Sequence, residues 1–349
     1  MRLDERLGYP IIVGTGLLGG VGAIARERGH GRAVVLTDAN VEPYARRVAE
    51  SFGNGTPLRS FVLGEERKNL ATLAAVYDAL AGVEADRGTL IVGVGGGVAG
   101  DLFGFAAATY MRGLPFLNVA TSLVAMVDAA IGGKTAIDLP AGKNLVGAFA
   151  DPVAVISDVA TLETLPPARI REGLGEMVKH AVLDGEQAFA QLERWASEPF
   201  ELWPWPELIA RNVAVKANVV SRDRLESGDR ERLNLGHTFA HAFERASRYR
   251  ISHGNAVAVG LRAAGVAAQE NGSWSSRDQE RLVSLLQALG LPVEHRGLDV
   301  DEIVTAMRMD KKRREGRLRF VLPRAFGDVV CGVELDDDAV REAVERCTR

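Results

Sequence analysis

Residues 233–241 read Leu233-Asn234-Leu235-Gly236-His237-Thr238-Phe239-Ala240-His241. On a helix His237 and His241 lie four apart and share a face, a spacing that suits a single metal ion. The residue after His237 is Thr238 rather than glutamate, which excludes the H-E-x-x-H pattern of zinc proteases. His253 follows in Ser252-His253-Gly254, so three of the six histidines fall between residues 237 and 253. A lone histidine is ordinarily structural, but three this close point to a metal. Catalytic zinc often takes two histidines and one carboxylate and keeps one position open, so a carboxylate from elsewhere in the chain is expected.

A second stretch, Glu172-Gly173-Leu174-Gly175-Glu176-Met177-Val178-Lys179-His180, places Glu176 and Lys179 at helical i, i+3. The pair reads either as a surface ion pair of little worth or as a buried carboxylate with a partner. The apolar character of residues 174–183 favours the second. A third set is cationic: Arg112-Gly113, Gly132-Gly133-Lys134-Thr135, Gly142-Lys143-Asn144 and Asp310-Lys311-Lys312, with Lys216 and Arg230 on or beside helices. Singly each reads as a solvated charge. Gly-Gly-Lys-Thr is not a P-loop, because the position of its first glycine holds Asp128. Glycine beside lysine still suits an anionic group approached by backbone and ammonium together.

These groups need a scaffold, and residues 89–101 supply its centre. Leu90-Ile91-Val92 is an apolar strand, Gly93, Gly95, Gly96, Gly97 and Gly100 form a turn, and residues 102–108 continue as a helix. Gly95, Gly97 and Gly100 fit G-x-G-x-x-G, the dinucleotide pattern, which alone is weak. Glycine lets the backbone approach a ligand, and the helix start offers unpaired N–H groups to a phosphate. Further strands are expected at residues 11–13, 33–37, 60–63 and 116–119, and helices at 41–52 and 69–83. This alternation predicts an α/β domain with a Rossmann-like, mostly parallel sheet. Ligands bind at the carboxyl ends of such strands, where Asp38, Asn40, Glu65, Lys68, Thr121 and Ser122 stand. Asp38 and Asn40 read either as ribose ligands or as helix caps, and Glu65 with Lys68 either as ligands or as a solvated turn pair. Beyond Pro166 helical segments dominate, at residues 168–183, 207–224, 232–248, 254–269 and 277–289, with one strand at 318–322. The expected domains are 1–165, α/β and nucleotide-binding, and 166–349, mostly helical and holding metal and substrate.

Composition narrows the class. The chain has 349 residues, 47% hydrophobic and 25% charged, as an ordinary soluble protein has. A net charge of −4 argues against a nucleic-acid partner, and no apolar run suits a membrane span. Cys331 and Cys347 make no disulfide framework, and the N-terminal residues lack a signal-peptide core, so a reducing, cytoplasmic setting is expected.

Taken in order, these stretches resemble 3-dehydroquinate synthase, of the sugar-phosphate cyclase superfamily. They are residues 95–101, Val127-Asp128, 132–135, 142–144, 175–179, 234–241, 252–254 and Met309-Asp310-Lys311-Lys312. The resemblance runs from about residue 38 to about residue 323. It implies that Glu176, His237 and His253 bind Zn2+ or Co2+. His241, which spacing alone pairs with His237, is assigned to proton transfer, as is Glu226, with Lys179 completing the catalytic group. NAD would be held by Asp38, Asn40, Glu65, Lys68, Gly96, Gly97, Val98, Asp101, Thr121, Ser122, Lys143, Thr161 and Thr164. The substrate, 3-deoxy-D-arabino-heptulosonate 7-phosphate, would meet Arg112, Asp128, Lys134, Asn144, Lys179, Lys216, Arg230, Asn234 and a lysine of the Lys311–Lys312 pair. A homodimer is the expected assembly.

Three positions depart from the family pattern. Asn255 stands where Glu usually follows His-Gly, Ser122 where a second Thr is usual, and Ala120 where Pro is usual. Two other classes compete with the resemblance. A metal- and NAD-dependent polyol dehydrogenase has no need of the phosphate-binding cations, and a non-catalytic nucleotide sensor has no need of the metal.

Overall fold

In a computed structural model, residues 2–3, 5–226, 228–308 and 318–349 are described. In chain order the strands are β1 (Arg2–Leu3), β2 (Ile11–Gly14), β3 (Ala33–Asp38), β4 (Leu58–Phe61), β5 (Leu90–Gly95), β6 (Phe116–Ala120), β7 (Lys134–Leu139), β8 (Gly142–Phe149), β9 (Ala154–Asp158), β10 (Phe320–Ala325) and β11 (Asp328–Val333). The helices are α1 (Val21–Glu27), α2 (Glu42–Phe52), α3 (Leu70–Ala81), α4 (Gly97–Thr109), α5 (Pro167–Asp184), α6 (Glu186–Trp195), α7 (Trp205–Arg222), α8 (His237–Ala246), α9 (His253–Glu270), α10 (Ser276–Ala288), α11 (Val300–Arg308) and α12 (Asp337–Glu345). No helix among the described residues is long and apolar enough to cross a membrane.

The chain divides into two compact units. The first is Met1–Pro166 with Trp205–Ser221, and the second is Pro167–Pro204 with Arg222–Arg349. Most of α7, which the sequence reading put in the C-terminal domain, therefore packs with the N-terminal unit.

A seven-stranded sheet in the order β1-β2-β9-β6-β5-β3-β4 organises the first unit. All its pairings are parallel except the edge pair β1–β2. Strands buried on both faces read as continuous apolar runs, because alternate residues serve opposite layers. In β3, Val34 and Leu36 join the cluster under α3 and α4, whereas Ala33 and Val35 join the one under α1 and α2. In β5, Ile91 faces the first cluster while Leu90, Val92 and Val94 face the second.

Three elements of this unit depart from the sequence reading. The central strand β9, inserted between β2 and β6, was not expected. The glycine-flanked cations of residues 132–144 lie on an antiparallel β7–β8 hairpin rather than in loops. The strand expected at 60–63 sits two residues earlier, as β4.

The second unit is helical, with α5, α6 and α8–α12 and the β10–β11 hairpin. The helix expected over residues 232–248 is broken. Residues Asp229–Asn234 form a tight 3-10 segment, and Gly236 takes a left-handed φ of 76° before α8 begins at His237.

Candidate active site

The first unit makes a glycine turn at the carboxyl end of β5, beside that of β3. From β3 the chain moves outward to β4 on one side, then crosses to β5 on the other, so the sheet order reverses here. This is where a doubly wound sheet opens to a ligand. Gly95, Gly96 and Gly97 make the turn between β5 and α4. A Cβ at Gly95 would stand 2.5 Å from Cβ of Ala99, one at Gly96 would be 3.1 Å from Ser122 Oγ, and one at Gly97 3.2 Å from Cβ of Ala129. The N-cap of α4 is Gly96, which has no side chain to satisfy the first N–H groups. A cradle without side chains at an uncapped helix start fits the pyrophosphate of NAD.

Around the cradle, Asp38 accepts from the Asn40 backbone N–H at 3.1 Å, so its carboxylate does cap the next turn. Thr121 N–H donates to Gly95 O at 2.9 Å, and Ser122 Oγ accepts from Ala125 N–H at 3.4 Å. Thr161 Oγ1 donates to Asp158 O at 2.8 Å, and Thr164 Oγ1 meets the Tyr44 hydroxyl at 2.7 Å. Val98 is half-buried in the first turn of α4.

Lys68 centres a buried ionic network in the same unit. It is 3% exposed, with Nζ 3.0 Å from Asp101 Oδ2, 3.7 Å from Glu65 Oε1 and 3.8 Å from Asp138 Oδ1. The ammonium also donates to Asn144 Oδ1 at 2.6 Å, and Lys143 Nζ lies 3.3 Å from Glu65 Oε1. Burial weakens the Lys68 charge, but Asp101, Glu65 and Asp138 outweigh it and raise its pKa. Burial pushes the Asp101 carboxyl up to about 6 against the pull of Lys68. Asn144, expected at the substrate, thus shares its contacts with residues expected at the cofactor. The backbone N–H of Asn144 donates to Asp138 Oδ1 at 2.7 Å; sequence reasoning had missed Asp138. Elsewhere in this unit, Lys216 Nζ donates to both the carbonyl and Oδ1 of Asp128 at 2.7 Å. Asp128 sits in a π-helical turn, Ala125–Ala129, a feature frequent at functional sites. Arg112 and Lys134 are exposed.

The second unit builds a cluster of Glu176, His237 and His253, whose donor atoms lie within 4.8 Å of one another. Close helix contacts assemble it. A Cβ on Gly254 would overlap the Glu172 carbonyl, and one on Gly175 the Gly254 carbonyl, so α5 and α9 touch backbone to backbone. Gly236 and Gly260 do the same for α8 and α9. Glu176 is fully buried, with Oε1 3.1 Å from His253 Nε2 and 3.5 Å from His237 Nε2. Lys179 is buried beside it and ion-paired to Oε2. The pair is therefore the buried alternative, not the surface one.

Burial alone would raise the Glu176 carboxyl, but Lys179 and the two histidines hold it well below the ordinary range. Burial, then Lys179, lowers His237 to about 4. Burial would also lower His253, but Glu176 and Glu244 lift it to about 10. Neutral His237 gives its one ring proton from Nδ1 to Leu235 O, 3.2 Å away. Its Nε2 lone pair then faces a carboxylate oxygen, and two electron-rich atoms in that position call for a cation. A metal ion there would meet His253 Nε2 as well, 3.1 Å from the same carboxylate oxygen. Two nitrogens and one carboxylate form the donor set of an open catalytic zinc site, so the residues fit the group.

Beside the cluster, the His241 ring stands edge-on to that of His237, centroids 5.7 Å apart, outside the donor set. Asn234 Nδ2 donates to Glu226 Oε1 at 2.9 Å. Arg230 is 1% exposed and donates to Arg224 O at 2.5 Å. Lys311 and Lys312 lie outside the described residues. Glu244 was missed by sequence reasoning, although it follows His237 by seven residues and so shares its helical face.

Residues 60–172 match the 3-dehydroquinate synthase N-terminal family and residues 173–313 the C-terminal family. The chain is 40% identical to a 3-dehydroquinate synthase of Symbiobacterium thermophilum over 100% of both chains. Its structure is similar to a 2-epi-5-epi-valiolone synthase of Streptomyces hygroscopicus subsp. jinggangensis with NAD+ and Zn2+ bound. That match has a TM-score of 0.88 and 26% identity, covering 97% of this chain and 96% of the other. A 2-deoxy-scyllo-inosose synthase complexed with carbaglucose-6-phosphate, NAD+ and Co2+ matches with a TM-score of 0.83 and 26% identity, over 97% of each chain. With both halves matched and full-length identity at this level, the chain belongs to the 3-dehydroquinate synthase family.

Proposed function

We propose that this chain converts 3-deoxy-D-arabino-heptulosonate 7-phosphate to 3-dehydroquinate and phosphate, a phosphate-eliminating lyase reaction with no net redox change. The observation that carries the reading is the pairing of two constructions in one chain: a side-chain-free turn at an uncapped helix start, and a two-histidine, one-carboxylate donor set around buried Glu176. Family membership selects the substrate.

The cradle, with Asp38, Asn40, Glu65, Lys68, Asp101, Lys143 and the threonines, would hold NAD. Glu176, His237 and His253 would hold Zn2+ or Co2+. When bound, NAD supplies reversible hydride acceptance, and the metal supplies Lewis-acid stabilisation of an alkoxide at C5. The chain's own residues do the rest. Once C5 is a ketone, the C6 proton is acidic and its removal expels phosphate from C7. His241 and Glu226 move protons at these steps, Glu226 being oriented by Asn234. Burial first, and then Lys179 beside Glu176, disfavour a charge on His237, which suits it to act as a ligand. Arg112, Asp128, Lys134, Asn144, Lys216, Arg230, Asn234, Lys311 and Lys312 would orient the two anionic ends of the substrate. The working assembly is a homodimer in the cytoplasm, its size read by sedimentation.

Incubation with the heptulosonate phosphate, NAD and Zn2+ should release equal amounts of phosphate and 3-dehydroquinate, identified by mass. Net NADH from glycerol, with no phosphate released from the sugar acid, would instead identify a polyol dehydrogenase.

A further inference from the structure

The two histidines of the metal cluster differ in what holds their outer nitrogens. His237 Nδ1 faces a neutral backbone carbonyl, that of Leu235, at 3.2 Å. His253 Nδ1 faces the Glu244 carboxylate, with Oε1 3.6 Å away, an ion-pair distance. Glu244 occupies an unfavourable place for a carboxylate. Its side chain is 5% exposed, and it stands in the last turn of α8, where the helix dipole is negative. The end of α8 is nonetheless pinned there: Tyr249 N–H and Ser247 Oγ both donate to the Glu244 carbonyl, at 2.7 and 2.8 Å. The His253 ring lies between the two carboxylates, with Nε2 3.1 Å from Glu176 Oε1 and Nδ1 3.6 Å from Glu244 Oε1.

We propose that Glu244 is a positioning residue for the metal centre. By accepting from Nδ1–H it fixes His253 in the tautomer and ring orientation that turn Nε2 to the metal. The inference rests on the metal-site reading given above and adds a residue to it. A carboxylate behind a ligating imidazole also raises the basicity of the ligand. Because Glu244 and His253 sit on different helices, α8 and α9, the contact also ties the two histidine-bearing helices together.

The test uses the full-length protein, stripped of metal and reloaded with Co2+ against a competing chelator. Two variants separate acceptor from bulk: Glu244→Gln keeps the shape and an accepting oxygen, whereas Glu244→Met keeps the length and accepts nothing. Glu244→Met should bind Co2+ about 10- to 100-fold more weakly and shift the visible cobalt band. Glu244→Gln should recover most of the affinity and the wild-type band. The thermal midpoint of the metal-free protein should fall in Glu244→Met, which loses the contact between α8 and α9, and fall less in Glu244→Gln. Wild-type affinity in Glu244→Met, or equal weakening in both variants, would overturn the proposal. Should Glu244→Met not fold, the nitrogen NMR signals of His253 in zinc-loaded wild-type protein decide. A proton on Nδ1 with the metal on Nε2 supports the proposal, and the reverse arrangement overturns it. The readout needs no substrate, so failure to turn over the heptulosonate phosphate leaves it intact. A wild-type protein that binds no cobalt overturns both readings.

Discussion

Lys68 and Glu176 are both buried charges at the heart of a cluster, yet the two clusters are made differently. The Lys68 network gathers residues from strand ends and turns of one sheet layer, and every cation in it faces carboxylates already present. The Glu176 cluster is made where three helices meet on bare glycine backbone, and it leaves a ring nitrogen facing a carboxylate oxygen. The first pairs both of its lysines with carboxylates of the same unit. The second is incomplete until a cation arrives.

Glu176→Ala should have the largest effect. It removes a ligand and takes the Glu176 carboxylate away from buried Lys179, a change of about 3–5 kcal/mol. Turnover and retained zinc should vanish, while calorimetry still shows NAD binding. His241→Asn sharpens the contrast within α8: it should keep the metal and slow turnover about 100- to 10,000-fold, as loss of a proton-transfer group does. Zinc loss equal to that of His237→Ala would instead make His241 a ligand. Gly254→Ala forces α5 and α9 apart and should lower stability by about 1–3 kcal/mol and weaken metal binding. Lys143→Ala should weaken NAD and spare a non-reactive substrate analogue, and Lys179→Ala should do the opposite.

The smallest effect belongs to Asp101. Its folded pKa, about 6, lies above the ordinary 3.8, so folding favours the protonated form. Its stabilising contribution is full below about pH 4 and lost as the pH rises through about 6. Compared with Asp101→Asn, the metal- and cofactor-free protein should lose thermal stability across that range.

The same contrast governs how much the sequence reveals. The β5–α4 turn is legible because strand, glycines and helix are contiguous. Residues 154–156 were missed as a strand because a short apolar run after a hairpin carries no period of its own. The β7–β8 hairpin hid behind its glycines. Gly147 must be bare because a Cβ there would overlap the Thr135 carbonyl, and that interrupts the alternation that marks a strand. In the helical unit, spacing alone pairs His237 with His241, whereas the donor atoms converge from α5, α8 and α9. Only the family resemblance linked Glu176 to His237 and His253, since contacts between helices leave no local spacing. Asp138 left no signal beyond its charge, and Glu244 only its place seven residues after His237.

The most direct test supplies the heptulosonate phosphate in large excess over NAD and counts products per cofactor. The account predicts many molecules of phosphate and 3-dehydroquinate for each NAD, with no accumulation of NADH. At most one product per NAD, with NADH rising in step, would contradict it.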